Sequence, residues 1–488
     1  MTESVLERTE AAKPAATAAD NRETGMEQLL IRQRKAFLNN PSPSADERRG
    51  WLKMLNKALL DNKQALIQAL DEDFGGRAHN DTLLAEFMPS LEGIKYSSRN
   101  LKKWMKPVKR HVSATLQPAS AKVMYQPLGV VGIVVPWNYP LFLACGPLVT
   151  ALAAGNRAMI KMSEFTPKTS ALFQKIIGDT FPEDLVTVIT GEAEVAAEFT
   201  QLPFDHILFT GSTNVGRHVM TAAAKNLTPV TLELGGKSPV IVDSDFPIKE
   251  VAERICYGKS MNAGQTCVAP DYVLIKKDQR EAFVKAYLKA FQTMYPTVNG
   301  NSEYTAIVND RQHQRLLAHI EDAKIKGAEI VTPGDAEITD GSRRLPPHLV
   351  LNASDDMTVM QEEIFGPLLP IIEVDSIDQA IDYVRDRPSP LALYYFGQDK
   401  ATQDKVLAQT HSGGACINET LFHVVVDDIP FGGVGDSGMG HYHGHEGFLT
   451  LSKAKAVLSK GKFNGARLVF PPYNTWFKKK VMQFISGG

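Results

Sequence analysis

Cys267, in Gly264-Gln265-Thr266-Cys267, lies thirty-four positions after Glu233, in Leu232-Glu233-Leu234-Gly235-Gly236-Lys237. An ionised thiol is a nucleophile, and a carboxylate can take a proton from water. Framed by small residues that let a ligand approach the backbone, the two are the parts needed to form and then hydrolyse a thioester. Upstream, Asn138 in Pro136-Trp137-Asn138-Tyr139-Pro140 carries an amide that could donate to an oxyanion. Each residue also has a plainer reading. A cysteine is usually a small buried hydrophobe, as expected here for Cys145, Cys256 and Cys416, while Glu233 could cap a strand end and Asn138 could serve a Pro-bounded turn.

The surrounding pattern says what would position them. Gly129 to Val135 reads as a buried strand, followed by a loop and a buried helix from about Leu141 to Ala154. Further strands are expected at Ala158–Met162, Leu185–Ile189, His206–Phe209 and Val230–Leu234, with helices starting at Pro167 and spanning Thr213 to Lys225. Short apolar strands alternating with amphipathic helices predict an α/β fold with a Rossmann-type doubly wound parallel sheet. Ligands bind beyond the carboxyl ends of such strands, where Asn138, Lys161–Glu164, Gly211–Gly216 and Glu233 all fall. After Gly236 the pattern restarts. A helix near Lys249–Cys256 leads to the Cys267 loop, followed by the strand Tyr272–Ile275, the helix Arg280–Met294, the strand Leu369–Val374, the helix Ile377–Arg385 and the strand Leu391–Phe396. This predicts a second α/β domain, with the site in the cleft between the two.

A dinucleotide site has two candidate glycine segments. Gly433-Val434-Gly435-Asp436-Ser437-Gly438 satisfies GxGxxG, yet no strand runs into it and Met439-Gly440-His441 opens no helix. Gly211-Ser212-Thr213-Asn214-Val215-Gly216 follows a strand and starts a helix, so its amides can meet a pyrophosphate; taken alone it is equally a βα turn without ligand. Lys161 and Glu164 can hold ribose hydroxyls as donor and acceptor, or form a surface ion pair.

Together these motifs resemble the aldehyde dehydrogenase superfamily in order and spacing. The resemblance implies NAD or NADP as cofactor, contacted by Lys161, Glu164, Gly211, Ser212 and Gly216. It also implies that Glu363, in Glu362-Glu363-Ile364-Phe365-Gly366-Pro367, binds the nicotinamide ribose and that Phe365 packs near the nicotinamide. Met162 stands where the family's Lys-Pro-Ser-Glu motif has proline. Glu164 should favour NAD by repelling a 2′-phosphate. Asn262 to Tyr272 is similar to the class 3 branch, which handles aromatic and medium-to-long aliphatic aldehydes. Asn418 to His423 and Gly438 to Phe448 look like bacterial coniferyl aldehyde dehydrogenases. Tyr139, Phe422 and His443 are the substrate-pocket candidates. A CoA-acylating relative is the nearest rival, against which Glu233 argues, and a retired structural or binding relative is the non-enzymatic one.

Bulk properties agree. With 488 residues, 43% hydrophobic and 22% charged, the chain fits two domains and a small extra element. A net charge of −2 gives no reason to expect nucleic acid, and four cysteines without a CxxC pair suit a reducing, cytoplasmic setting. No metal is expected, although His441, His443 and His445 alternate. Met124 to Asn156 lacks charge but is broken by four prolines, so no membrane span is expected. The expected organisation is a flexible tail (1–26), a dinucleotide-binding domain (27–235) with a protruding hairpin at 106–125, a catalytic domain (236–428) and a C-terminal segment (429–488). The resemblance implies that the hairpin and a C-terminal strand mediate a homodimer.

Overall fold

The computed structural model describes residues 25–113, 116–334, 338–463, 467 and 470–487. Residues 1–24 of the expected tail lie outside them, and Gly25 and Met26 instead open the helix Gly25–Asn39.

Five parallel strands, Val130–Val134, Arg157–Lys161, Val186–Ile189, His206–Thr210 and Val230–Glu233, form the first sheet. Each lies within one residue of its expected bounds. The central strands Val130–Val134 and His206–Thr210 are buried throughout, which is why they read as continuous apolar runs. The direction of winding reverses between these two strands, leaving a crevice at their carboxyl ends. Gly438–Met439 returns as a short antiparallel edge beside Val230–Glu233.

The second sheet takes over at Pro239. Its parallel strands are Pro239–Val242, Tyr272–Lys276, His348–Leu351, Leu368–Val374, Ala392–Phe396 and Gly414–Ile417, with Glu329–Val331 antiparallel at one edge. Three of these strands, Pro239–Val242, His348–Leu351 and Gly414–Ile417, are only four residues long, too short to show a period in the sequence. A third, antiparallel sheet joins Val108–Arg110, Ala119–Pro127 and Ser452–Lys460. It contains the expected hairpin and its C-terminal strand.

The uncharged stretch Met124–Asn156 is the end of one strand, the strand Val130–Val134 and the helix Phe142–Ala154. Among the described residues no helix is long and apolar enough to cross a membrane. Gly155 stops this helix in the left-handed region (φ 90°), and a Cβ there would sit 2.6 Å from the Arg48 guanidinium carbon. At the other end, Glu86 accepts from the amides of Leu141 and Phe142, both at 2.8 Å. The carboxylate comes from a π-helical turn, Leu83–Phe87, and satisfies helix-terminal donors that the chain itself leaves open.

Candidate active site

The loop after Val130–Val134 is held from below by a buried ion pair. Arg77 and Glu86 meet at 3.1 Å with both side chains inaccessible to solvent. Arg77 Nη1 donates to the Asn138 carbonyl at 2.8 Å, and Asn262 Nδ2 donates to the same oxygen at 3.2 Å. The Asn138 side chain is buried, and its Nδ2 donates to the Gln265 carbonyl at 3.2 Å. One amide N–H therefore anchors Asn138 to the cysteine loop, and the other remains for a ligand.

The cysteine loop is a strained turn. Asn262, Ala263 and Gly264 all have positive φ (51°, 50° and 73°), one residue beyond the end of the helix Ile248–Ser260. Gln265 holds it together, donating to the carbonyls of Asn262 (3.0 Å) and Ala306 (3.1 Å) and accepting from Val308 (3.0 Å). Tyr139 and Thr266 share a hydrogen bond of 2.7 Å, tying the Asn138 segment to Cys267's neighbour. Backbone conformation that costs energy and is fixed on several sides is characteristic of pre-organised sites.

Burial pushes the Cys267 thiol up to about 12, with Glu363 and Glu233 adding to it, against the backbone amides of Cys267 and Val268, which favour the thiolate. Glu233 closes the strand Val230–Glu233. Its side chain is buried, neither carboxyl oxygen has a hydrogen-bond partner among the described residues, and burial raises its pKa well above the ordinary 4.5. Glu363 is likewise raised by burial, to about 8, with Asp271 adding to the shift. Its carboxyl group lies against Gly235, where a Cβ would fall 2.0 Å from Oε2. Arg315 Nη2 donates to the Ile364 carbonyl (2.7 Å), and Asp271 accepts from the Ile364 amide (3.0 Å), so the Glu363 segment is pinned from both sides. Lys237 pairs with Asp271, and the buried Lys259 Nζ has no hydrogen-bond partner among the described residues.

Two cavities meet at Cys267. One is almost wholly apolar, walled by Tyr139, Phe142, Phe431 and Tyr442 and rimmed by the exposed Leu84, Met88 and Phe422. The other is more polar, lined by Asn138, Thr210, Gly211, Ser212, Glu233 and Glu363 together with the apolar Trp137, Leu234 and Phe365. It lies at the carboxyl ends of Val130–Val134 and His206–Thr210, where a dinucleotide fits a doubly wound sheet. Partnerless carboxyl oxygens on Glu233 and Glu363 leave acceptors free for hydroxyls or water.

The remaining candidates scatter. Lys161 Nζ donates to the carbonyls of Met162 and Gly191, both at 2.7 Å, so one ammonium N–H remains. Glu164 is half-buried in the turn that follows. Both stand at the end of the neighbouring strand and outside the lining of the polar cavity. Ser212 caps the helix Thr213–Ala224 by accepting from Val215 at 3.4 Å. Gly216 packs on Leu234, where a Cβ would sit 2.7 Å from a methyl carbon; its structural reason is close helix–strand contact. Tyr139 and Phe422 line the apolar cavity, but His443 does not. It stacks on Phe431 (5.8 Å, 18°) and faces a separate small cavity, because the preceding Tyr442 takes the place beside Cys267.

His441, His443 and His445 do not alternate on a strand: His441 is exposed, His443 buried, and His445 stacks on Trp104 at 5.7 Å. Among the described residues no three His, Cys, Asp or Glu side chains are grouped to hold a metal. The Gly433–Gly438 segment leads into an edge strand and no helix. Its glycines permit close backbone approach, since a Cβ on Gly433 or Gly438 would lie 1.9 or 2.0 Å from a carbonyl oxygen. Arg77, Glu86, Arg315, Asp271 and Lys259 were not anticipated. Isolated charges in the sequence carry no mark of burial, and only the fold brings them under the motif loops.

The sequence model of the aldehyde dehydrogenase family matches residues 3–457. The chain belongs to that family. A probable coniferyl aldehyde dehydrogenase of Pseudomonas aeruginosa is 60% identical over 460 residues, covering 94% of this aldehyde dehydrogenase and 96% of the relative. The coniferyl aldehyde dehydrogenase of Pseudomonas sp. strain HR199 is 45% identical, covering 92% and 94%. Among solved structures, the substrate-bound state of Staphylococcus aureus AldH superposes with a TM-score of 0.89 at 38% identity, covering 94% of this chain and 99% of that one. A Mycobacterium tuberculosis aldehyde dehydrogenase complexed with NAD+ superposes at 0.81 with 29% identity, covering 89% and 90%. This aldehyde dehydrogenase is thus an NAD(P)-dependent, aldehyde-oxidising enzyme.

Proposed function

We propose that the enzyme oxidises aromatic, hydroxycinnamyl or medium-to-long aliphatic aldehydes, coniferyl aldehyde among them, to the carboxylic acid, with NAD preferred over NADP. The observation that carries this reading is the position of Cys267 between an apolar cavity and a more polar one lined by Glu233, neither of whose carboxyl oxygens has a partner among the described residues, and by Glu363, whose Oε1 has none. The names of the Pseudomonas relatives support the hydroxycinnamyl choice. So does the near-parallel pair of Tyr257 and Phe422 beside the cavity (6.1 Å, 7°), which offers flat faces to an aryl group.

Cys267 Sγ, as the thiolate that the amides of Cys267 and Val268 favour, bonds to the aldehyde carbon, its proton having passed to water, while the carbon–oxygen π bond opens and the remaining Asn138 N–H and the Cys267 amide meet the developing oxyanion. Loss of one such donor typically costs on the order of 10²–10³ in turnover. NAD(P), bound in the polar cavity, would supply the acceptor for the hydride whose loss from that carbon leaves a thioester. Gly211 and Gly235 keep the cavity floor open, and Glu363 is placed to accept from a hydroxyl. Glu233 takes a proton from water, the hydroxide oxygen bonds to the thioester carbon, and the carbon–sulfur bond breaks, the departing thiolate taking that proton back from Glu233 to return the thiol. Because burial opposes its ionised form, Glu233 is a stronger base than a solvated carboxylate when it does ionise.

An aldehyde panel run with NAD and with NADP, with acid release measured in the absence of CoA, tests this. Coniferyl and related aryl aldehydes should give the highest kcat/KM, and NAD should outperform NADP. A clear preference for short, polar aldehydes would sink the substrate assignment, and a strict requirement for CoA would sink the hydrolytic one.

A further inference from the structure

From Gly447 to Gly488 the sequence carries seven lysines and one arginine and no acidic residue, in a chain whose formal net charge is −2. Positive charge is therefore concentrated in this segment. Lys453, Lys455 and Lys460 stand exposed on the strand Ser452–Lys460. Beyond it lies the helix Trp476–Ile485, capped by Thr475, whose hydroxyl accepts from Lys478 at 3.4 Å.

This helix has an apolar face that nothing in the described chain covers. Phe477, Val481 and Phe484 follow at i, i+4 and i+7 and so share one side. Phe477 is 54% exposed and Phe484 83%; Trp476 in the first turn is 70% exposed. Lys478 and Lys480 flank the face, and Lys479 lies behind it. Lys480 Nζ stands 4.5 Å over the Trp476 ring, so the ammonium and the indole are presented together. Phe463, Phe470 and Tyr473, from the preceding stretch, are also exposed.

We propose that this helix and its basic surroundings dock on the surface of an anionic lipid bilayer, with Phe477, Val481 and Phe484 inserted at the headgroup level and the lysines reaching up to lipid phosphates. A ten-residue helix is far too short to cross a bilayer but suits an in-plane position. Lysines on both edges of an apolar stripe can extend their heads to the phosphates while their stems stay on the apolar side. The full absence of acidic residues over this segment supplies the charge complementarity. A nucleic acid would match the charge but leave the Phe477–Phe484 face in water.

The test is co-sedimentation of the full chain with vesicles of equimolar phosphatidylglycerol and phosphatidylcholine, and with phosphatidylcholine alone, at low and high salt. The protein should partition to the anionic vesicles at least ~10-fold better than to neutral ones, and less well as salt rises. Replacing Lys478, Lys479 and Lys480 with Gln should weaken this partition roughly 100-fold, at about fivefold per lysine. Phe477→Ser combined with Phe484→Ser should weaken it at both salts. Both variants should keep the rate of the unmodified enzyme on a water-soluble aldehyde. Partition that ignores lipid charge, or survives both variants, overturns the proposal. So does a lipid-free oligomer that the Phe477→Ser/Phe484→Ser variant dissociates, since a second copy would then cover the face.

Discussion

Cys267 and Glu233 line the same polar cavity, but only Cys267 reaches through to the apolar cavity on its other side. An aldehyde can therefore approach the thiol from one direction and water from the other. Cys267→Ala should lower turnover by at least ~10³-fold and leave NAD binding, read by cofactor fluorescence quenching, within a few-fold. Cys145, Cys256 and Cys416 are buried away from this junction, and their Ala variants should retain most activity. Substantial aldehyde oxidation by Cys267→Ala would refute its role as nucleophile.

Glu233→Gln separates the two halves of the reaction. The thiol can still attack, but hydrolysis loses its proton acceptor, so rapid mixing should show a burst of NADH close to one equivalent per site and then a slow steady state. If Glu233 also deprotonates Cys267, the burst slows, and alkylation of Cys267 slows with it. Normal steady-state turnover would contradict both versions.

The same variant has a consequence for stability, with a sign fixed by burial. The Glu233 carboxyl stays protonated in the fold above 4.5, its ordinary value, whereas in the unfolded chain it ionises there. The unfolded state then binds fewer protons, so this residue's contribution to stability is full below that value and is lost as pH rises towards the folded pKa. Glu233→Gln should thus raise Tm at neutral pH, with the gain shrinking as pH falls towards 4.5. A Tm difference that stays constant across this range would show that Glu233 is not held neutral.

How much of this was legible beforehand follows from element length and from burial. The five strands of the first sheet are buried apolar runs bounded by turns, and Asn138, Gly211 and Glu233 follow or close them, so pattern and motif agreed. The left-handed run Asn262–Gly264 could not be read, because Ala263 at its centre disfavours positive φ and a single Asn or Gly beside it suits many other turns. Nor could the site of His443, since one residue's difference in register puts Tyr442 on the substrate side and the histidine behind Phe431. Arg77 and Glu86 look like ordinary helix-surface charges in the sequence, yet both are fully buried beneath Asn138.

That pair yields a prediction about positioning. Removing one partner of a buried ion pair leaves the other charge stranded, so Arg77→Leu should destabilise the enzyme by about 3–5 kcal/mol. It also removes the 2.8 Å donor to the Asn138 carbonyl, so kcat should fall more than NAD affinity. Adding Glu86→Gln should recover part of the stability, because no carboxyl charge remains to be stranded, while kcat stays low. Denaturant melts and steady-state kinetics on the single and double variants check this. Full recovery of kcat in the double variant would mean that Arg77 acts only by neutralising Glu86.

Cofactor choice is the last point, and Glu164 decides it if its carboxylate faces the adenine ribose. Lys161, three residues before it, has two of its three ammonium protons committed to the carbonyls of Met162 and Gly191. Its remaining proton and the Glu164 carboxylate would then hold the ribose hydroxyls between them. A 2′-phosphate would place negative charge against that carboxylate and lose the hydroxyl donor. Glu164→Gln keeps the shape and removes the charge, so the ratio of kcat/KM for NADP to that for NAD should rise by roughly 10-fold, about the loss of one largely solvent-screened repulsion between like charges. The same change should weaken NAD itself, since a neutral amide is a poorer acceptor than a carboxylate. An unchanged ratio would place the ribose elsewhere and leave Glu164 as a surface group of the turn after Arg157–Lys161.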